Sequence, residues 1–202
     1  MKILVHSAAG GVGGALLQLA RIAGTIPVGV VGSSHKVDAA KALGAEHVID
    51  KSTEDLWRRA RELCPDGYDV VLDANGVETL KESYEHTGSS GRLVVYGFHT
   101  MMPKSGGRPN YLKLGYDFLR TPRFSPLDLC NDNKSVMAFN LSYLFARRDL
   151  LEDGMTRTLG WVNEGKAKLP TVTRYALDKV GEAHQALESG KTVGKLVITF
   201  GG

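Results

Sequence analysis

Cysteine is scarce, with only Cys64 and Cys130 in 202 residues. Two thiols so far apart cannot build a disulfide framework, and they form no CxxC pair for zinc or thiol redox chemistry. Long apolar runs are also missing. Nothing approaches the roughly 18 consecutive apolar residues of a membrane span, so none is expected. Neither sign of charge dominates: 25 Lys and Arg stand against 22 Asp and Glu, a net charge of +3. With no dense basic run, a nucleic-acid partner is excluded from the expectation. A signal peptide is not visible, because Met1-Lys2 leads straight into a strand-like run. Internal repeats are absent. A reduced, cytoplasmic setting is the expectation. What is present is a globular composition, 43% hydrophobic with 24 glycines, on a chain long enough for one large domain or slightly more.

The first hundred residues alternate β-rich runs with helical patterns. Strands are expected at 2–6, 27–31, 47–49, 68–72 and 92–96. Helices are expected at 11–23, 36–43, 54–63 and 77–86. The first helix should bury Val12, Leu16, Leu19 and Ala23. The third should be capped by Ser52 and Thr53. Continuous Val/Ile/Leu strands spaced by helices imply a parallel sheet of βαβ units, buried on both faces. Beyond Gly97 the pattern loosens. Residues 97–109 read as a loop, 110–120 as a helix, 136–141 as a sixth strand and 149–165 as a long helix. The tail reads as strand 171–176, helix 178–187 and strand 195–200.

The strongest chemical signal is Ser7-Ala8-Ala9-Gly10-Gly11-Val12-Gly13-Gly14, directly after a strand and before a helix. A glycine turn there lets phosphate oxygens approach backbone N–H groups, and the helix start adds its positive dipole end. In G-x-G-x-x-G register Ala8 takes the first place, Gly10 the second and Gly13 the third. Gly10 would admit the pyrophosphate, and Gly13 would let helix pack on strand. A tight turn without a ligand is the plain alternative.

An acid about 20 residues beyond such a turn holds the ribose 2′-OH of NAD. Here the second strand ends in Gly32-Ser33-Ser34-His35-Lys36, and no carboxylate occurs before Asp38. Ser33, Ser34 and Lys36 are donors, suited to the 2′-phosphate of NADP(H). The alternative makes Ser34 a helix N-cap and Lys36 a solvated lysine.

These residues carry a family resemblance. Ala8-Ala9-Gly10-Gly11-Val12-Gly13 with Gln18-Leu19-Ala20 resembles the cofactor turn of the zinc-independent quinone oxidoreductases of the medium-chain dehydrogenase/reductase superfamily. Lys41-Ala42-Leu43-Gly44-Ala45, the run Asp69 to Asp73 with Asn75-Gly76, Gly91 to Gly97, and Val193-Gly194-Lys195-Leu196-Val197 resemble that family's motifs in the same order. Gly97-Phe98 and Phe139 to Leu144 are most similar to the VAT-1-like branch. The resemblance implies a Rossmann-type doubly wound α/β domain over residues 1–165. Residues 166–202 would then be a return segment of a GroES-like catalytic domain that does not appear in this sequence. Without that domain, apolar surface near the nicotinamide end is expected to lie open.

The resemblance also implies roles. Gly97, Phe98, Phe139, Asn140 and Leu141 would line the nicotinamide, with Asn75 nearby and Lys195 on the cofactor. Core packing is the alternative for Phe98 and Phe139, and plain solvation for Lys195. Lys51 stands where relatives place a tyrosine near the 2′-phosphate; a lysine would serve electrostatically. Hydride transfer to a quinone, enone or other small carbonyl substrate is the implied reaction, with no metal. The histidines form no metal spacing; His99 is a candidate for substrate contact, though a plain loop residue is the simpler reading. Tyr175-x-x-x-Lys179 matches the proton-donor pair of short-chain dehydrogenases, but the expected strand-to-helix boundary between them separates the two. A binding module without catalysis is the rival function. The resemblance also implies a homodimer by sheet-edge pairing, with 136–141 as the candidate edge.

Overall fold

The computed structural model describes residues 1–98 and 111–200. Strands β1 (Lys2–Val5), β2 (Ile26–Val31), β3 (His47–Asp50), β4 (Tyr68–Asp73), β5 (Thr87–Val95) and β6 (Ser135–Ala138) form one sheet in the order β3-β2-β1-β4-β5-β6. Every pairing in it is parallel. The order is that of the doubly wound Rossmann fold. Helices α1 (Gly11–Ile22), α2 (Val37–Ala42), α3 (Leu56–Leu63) and α4 (Leu80–Glu85) connect the first five strands.

Strand alternation explains the two cores. Leu4 joins Val28, Ile49, Val71 and Leu93 beneath α3 and α4, while Ile3 and Val5 pack with Leu17, Ala20 and Ala40 of α1 and α2. Each such side chain contributes about 1.5–3 kcal/mol on burial.

Some expectations are corrected. The buried face of α1 is Gly13, Gly14, Leu17 and Ala20, with Val12 and Ala23 exposed. The face is turned because the helix approaches the sheet on its glycines. The cap of α3 is Asp55, whose carboxylate accepts from the Arg58 N–H at 2.7 Å. Ser52 and Thr53 bond to Asp50 instead. The helix expected at 77–86 is confined to α4, because Gly76 and Thr79 first close a turn on Asp73.

Helices α5 (Tyr111–Arg120) and α6 (Pro126–Asp132) precede β6. The second of these was unexpected. Strand β6 stops at Ala138, and a 3-10 turn over Leu141–Tyr143 replaces its expected end. Helix α7 (Arg148–Asn163) follows. Strands β7 (Val172–Ala176) and β8 (Lys195–Thr199) pair in parallel as a separate two-stranded sheet, joined by α8 (Val180–Glu188). Tyr175 lies in β7 and Lys179 in a 3-10 turn, so they share no helix face.

Candidate dinucleotide site

The carboxyl ends of β1, β2 and β4 bring three segments together. The glycine turn leaves β1 with Ser7 at φ 53, a left-handed conformation uncommon outside glycine. Its hydroxyl donates to Asn75 Oδ1 at 3.1 Å. Its carbonyl accepts the Gly10 N–H at 3.0 Å. A Cβ on Gly13 would stand 2.3 Å from that carbonyl oxygen, so only glycine lets α1 start here. Ala8 is sealed in the core, and its N–H donates to Val30. Gly10 is the cap of α1, extended and without a side-chain cap bond. First-turn amides have no intrahelical acceptor, so the helix start around Gly11, Val12 and Gly13 offers unfilled donors and a positive dipole end.

A second layer of polar groups holds the turn from below. Asp73, fully buried, accepts from the Asn75 and Gly76 N–H groups at 2.8 and 3.1 Å and from the Thr79 and Ser83 hydroxyls at 2.7 Å each. Because Ser83 donates to Asp73, its oxygen accepts from His6 Nε2 at 3.1 Å. That places the single His6 proton on Nε2 and leaves Nδ1 a buried acceptor without a partner. Burial holds His6 below its ordinary pKa; Asp73 opposes the shift and Lys51 adds to it. The Tyr96 hydroxyl is likewise buried without a partner, its pKa pushed up to about 12 by burial and by Asp73.

At the end of β2, Ser33 is extended and precedes a 3-10 turn over Ser34–Lys36. Ser34 is therefore not a helix N-cap. Its hydroxyl donates to Asp50 Oδ2 at 2.5 Å. Burial pushes the Asp50 carboxyl up, but hydrogen bonds from Ser34, Ser52 and Thr53 outweigh it and hold the pKa below its ordinary value. Lys36 Nζ donates to the Gly190 carbonyl and His35 Nε2 meets that of Lys191 at 2.9 Å. Partial burial lowers the Lys36 pKa. The Lys51 side chain lies over Gly32, with its Cε 3.6 Å from where a Cβ there would be.

The tail docks on the same turn. Gly194 N–H donates to the Ala9 carbonyl at 3.2 Å and Gly194 bridges to Gly10. Gly194 adopts φ 76, and the Lys195 Cδ lies 3.8 Å from a Cβ built on Gly11. Thus Gly10, Gly11 and Lys195 converge; Lys51 lies beside Gly32, while the Ser34 hydroxyl is held by Asp50 and the Lys36 ammonium by the Gly190 carbonyl. At the other end Phe98 packs over Gly76, and Gly97 passes Ala74 with 3.0 Å between a built Cβ and the carbonyl oxygen. Phe98, Phe139 and Leu141 are about half exposed, so none is ordinary core. Asn140 accepts from the Ser142 N–H at 3.0 Å, which closes its own turn. His99 and most of the 97–109 loop lie outside the described residues. The sequence reading gives no site role to Asp50, whose bond to Ser34 crosses from β3 to the end of β2; Asp73 it places only as the end of a motif run, not as the acceptor that gathers Asn75, Gly76, Thr79 and Ser83.

An uncapped helix start behind a glycine turn, at the carboxyl edge of a parallel sheet, defines a dinucleotide-binding fold. Comparison narrows the class. A family model described as zinc-binding dehydrogenase matches residues 43–198, and the chain belongs to that family. It is 30% identical to a synaptic vesicle membrane protein VAT-1 homolog of Danio rerio, over 98% of this chain and 40% of that protein. A quinone oxidoreductase of Pseudomonas syringae superposes with TM-score 0.76 at 30% identity, over 98% of this chain and 56% of the other. The Escherichia coli quinone oxidoreductase, solved in complex with NADPH, gives TM-score 0.73 at 27% identity, over 98% and 54%. The chain therefore spans about half the length of these relatives. Among the described residues no three His, Cys, Asp or Glu side chains are grouped to hold a metal ion, so the zinc in the family's name has no fitting ligand set there. No described helix is long and apolar enough to cross a membrane.

Proposed function

We propose that this chain is the NADP(H)-holding part of an oxidoreductase that reduces a quinone, an activated enone or a related small carbonyl compound. The observation that carries this reading is the uncapped start of α1, wedged against Ser7 by Gly13. The solved relative with NADPH supports it. In this reading the first-turn amides of α1 and Lys195 hold the pyrophosphate. Ser33, Lys36 and Lys51 face the 2′-phosphate, with Ser34 beside them. Asn75 fixes the turn through Ser7. Gly97 gives close approach, while Phe98, Phe139, Asn140 and Leu141 orient the nicotinamide and exclude water from one face. Bound NADPH supplies the hydride; the chain's own groups bind and orient.

Residues 1–165 form the nucleotide domain in this proposal and 166–202 the return segment. Because the chain spans about half of its relatives, we assign substrate turnover to the full-length architecture and nucleotide binding to the chain alone. The two unpaired cysteines suit a reduced, cytoplasmic setting. As the last strand of its sheet, β6 is the proposed pairing edge of a homodimer; sedimentation at micromolar concentration reads this, and a monomer refutes it.

Calorimetric titration with NADPH and NADH tests the site. Lys36→Ala is expected to weaken NADPH by about 1.5–3 kcal/mol, the range for hydrogen bonds to charged groups, and NADH far less. Equal losses for the two would remove Lys36 from the phosphate.

A further inference from the structure

Strand β2 brings no acid to the adenosine end, but β3 does. The parallel register sets Asp50 beside Val31, so its carboxylate stands behind the Gly32–Lys36 segment. Asp50 is buried, and both of its oxygens are occupied. Oδ2 accepts from the Ser34 hydroxyl at 2.5 Å; Oδ1 accepts from the Ser52 N–H at 3.0 Å and the Ser52 hydroxyl at 2.6 Å.

We infer that Asp50 is a positioning residue that tempers the preference for NADPH over NADH, acting through Ser34. The inference rests on the dinucleotide reading above. Two consequences follow from the geometry. The only proton of the Ser34 hydroxyl points at Asp50, so Ser34 offers lone pairs to anything outside. A fixed negative charge also lies one side chain behind the segment. Both oppose a 2′-phosphate. Neither opposes a 2′-hydroxyl, which donates to the Ser34 oxygen. Lys36 and Lys51 pull the other way, and Asp50 sets how far their preference runs.

Asp50→Asn separates the charge from the scaffold. The amide oxygen keeps both Ser52 bonds. The amide nitrogen donates to Ser34, whose proton then turns outward and becomes a donor to phosphate. Calorimetric dissociation constants for NADPH and NADH on the wild type, Asp50→Asn, Ser34→Ala and the double variant test this, with circular dichroism melting as the fold check. Asp50→Asn is expected to tighten NADPH roughly tenfold, the scale of one charge contact screened by water, and to move NADH less than twofold. The gain should shrink in the double variant. Ser34 is exposed, so Ser34→Ala keeps the fold even if Asp50→Asn does not; it should cost NADH more than NADPH. Equal shifts of both nucleotides in Asp50→Asn, or a larger loss of NADPH than NADH in Ser34→Ala, would overturn the inference while leaving the site standing. A wild type that binds neither nucleotide would overturn the site reading and this inference with it.

Discussion

In residues 1–98 the strands seal their apolar side chains: Leu4, Val28 and Leu93 are fully buried between helices on both faces. In residues 111–200 the same residue types lie open. Leu112 is 88% exposed and Tyr143 84%. Helix α7 buries no residue, and the described residues of this second region bury only Asp117 and Ala183. Both regions form regular elements, but for different reasons. The first is held by tertiary burial. The second is held by local signals: Pro126 in the first turn of α6, a left-handed Asn133 closing it, and ion pairs such as Arg157 with Asp153 along α7. Most of its apolar side chains find no cover among the described residues, although Phe124 and Val136 pack against the first core. Secondary structure and core are thus separable properties of one sequence.

A pair of glycine substitutions sharpens the contrast. At Gly13 a methyl would stand 2.3 Å from the Ser7 carbonyl oxygen and 2.9 Å from the Ala8 Cα. Backbone must move. Gly13→Ala should cost about 3 kcal/mol, the upper end for overpacking, and remove nucleotide binding. At Gly154, in the middle of α7, a methyl meets nothing within 4 Å. Gly154→Ala should raise local helix stability by about 0.5–1 kcal/mol. Urea midpoints read the first and amide exchange within α7 the second. Equal signs would mean that the two regions do not differ in the way their burial indicates.

Much of the first region was legible in the sequence because its signals are local. Runs such as Ile3 to Val5 and Val70 to Leu72 are apolar throughout, and Gly44, at φ 108, ends its helix where the sequence says. The α1 face was misread because Gly13 and Gly14 contribute no apolar side chain to a periodicity count, yet they make the contact. Ser125-Pro126 carries no assigned element in the sequence reading, although Ser before Pro is also a helix start. The Asp50 contact depends on the β2–β3 register, and the docking of Gly194 on Ala9 joins residues at opposite ends of the chain. No local pattern carries either.

Burial should also make the first region the acid-sensitive one. His6 is neutral in the core with its pKa below the ordinary 6.5. Above pH 6.5 neither folded nor unfolded chain holds the extra proton, and the stability owed to His6 is complete. As pH falls below 6.5 the unfolded chain takes up a proton that the folded chain refuses. Stability then declines, approaching about 1.4 kcal/mol per pH unit, until the folded pKa is reached. Asp50 enters lower on the scale. Its pKa is depressed, so its contribution is present above the ordinary value of 3.8 and is lost as pH falls below that. The window between the two isolates His6. The exposed pairs of α7 are screened by solvent and should not bend the curve there. Urea midpoints at half-unit steps from pH 7.5 to 4.5 read the slope. In His6→Gln the amide still donates to Ser83 but cannot titrate, so the decline should flatten. An unchanged slope in that variant would move the acid sensitivity away from the network beneath the glycine turn.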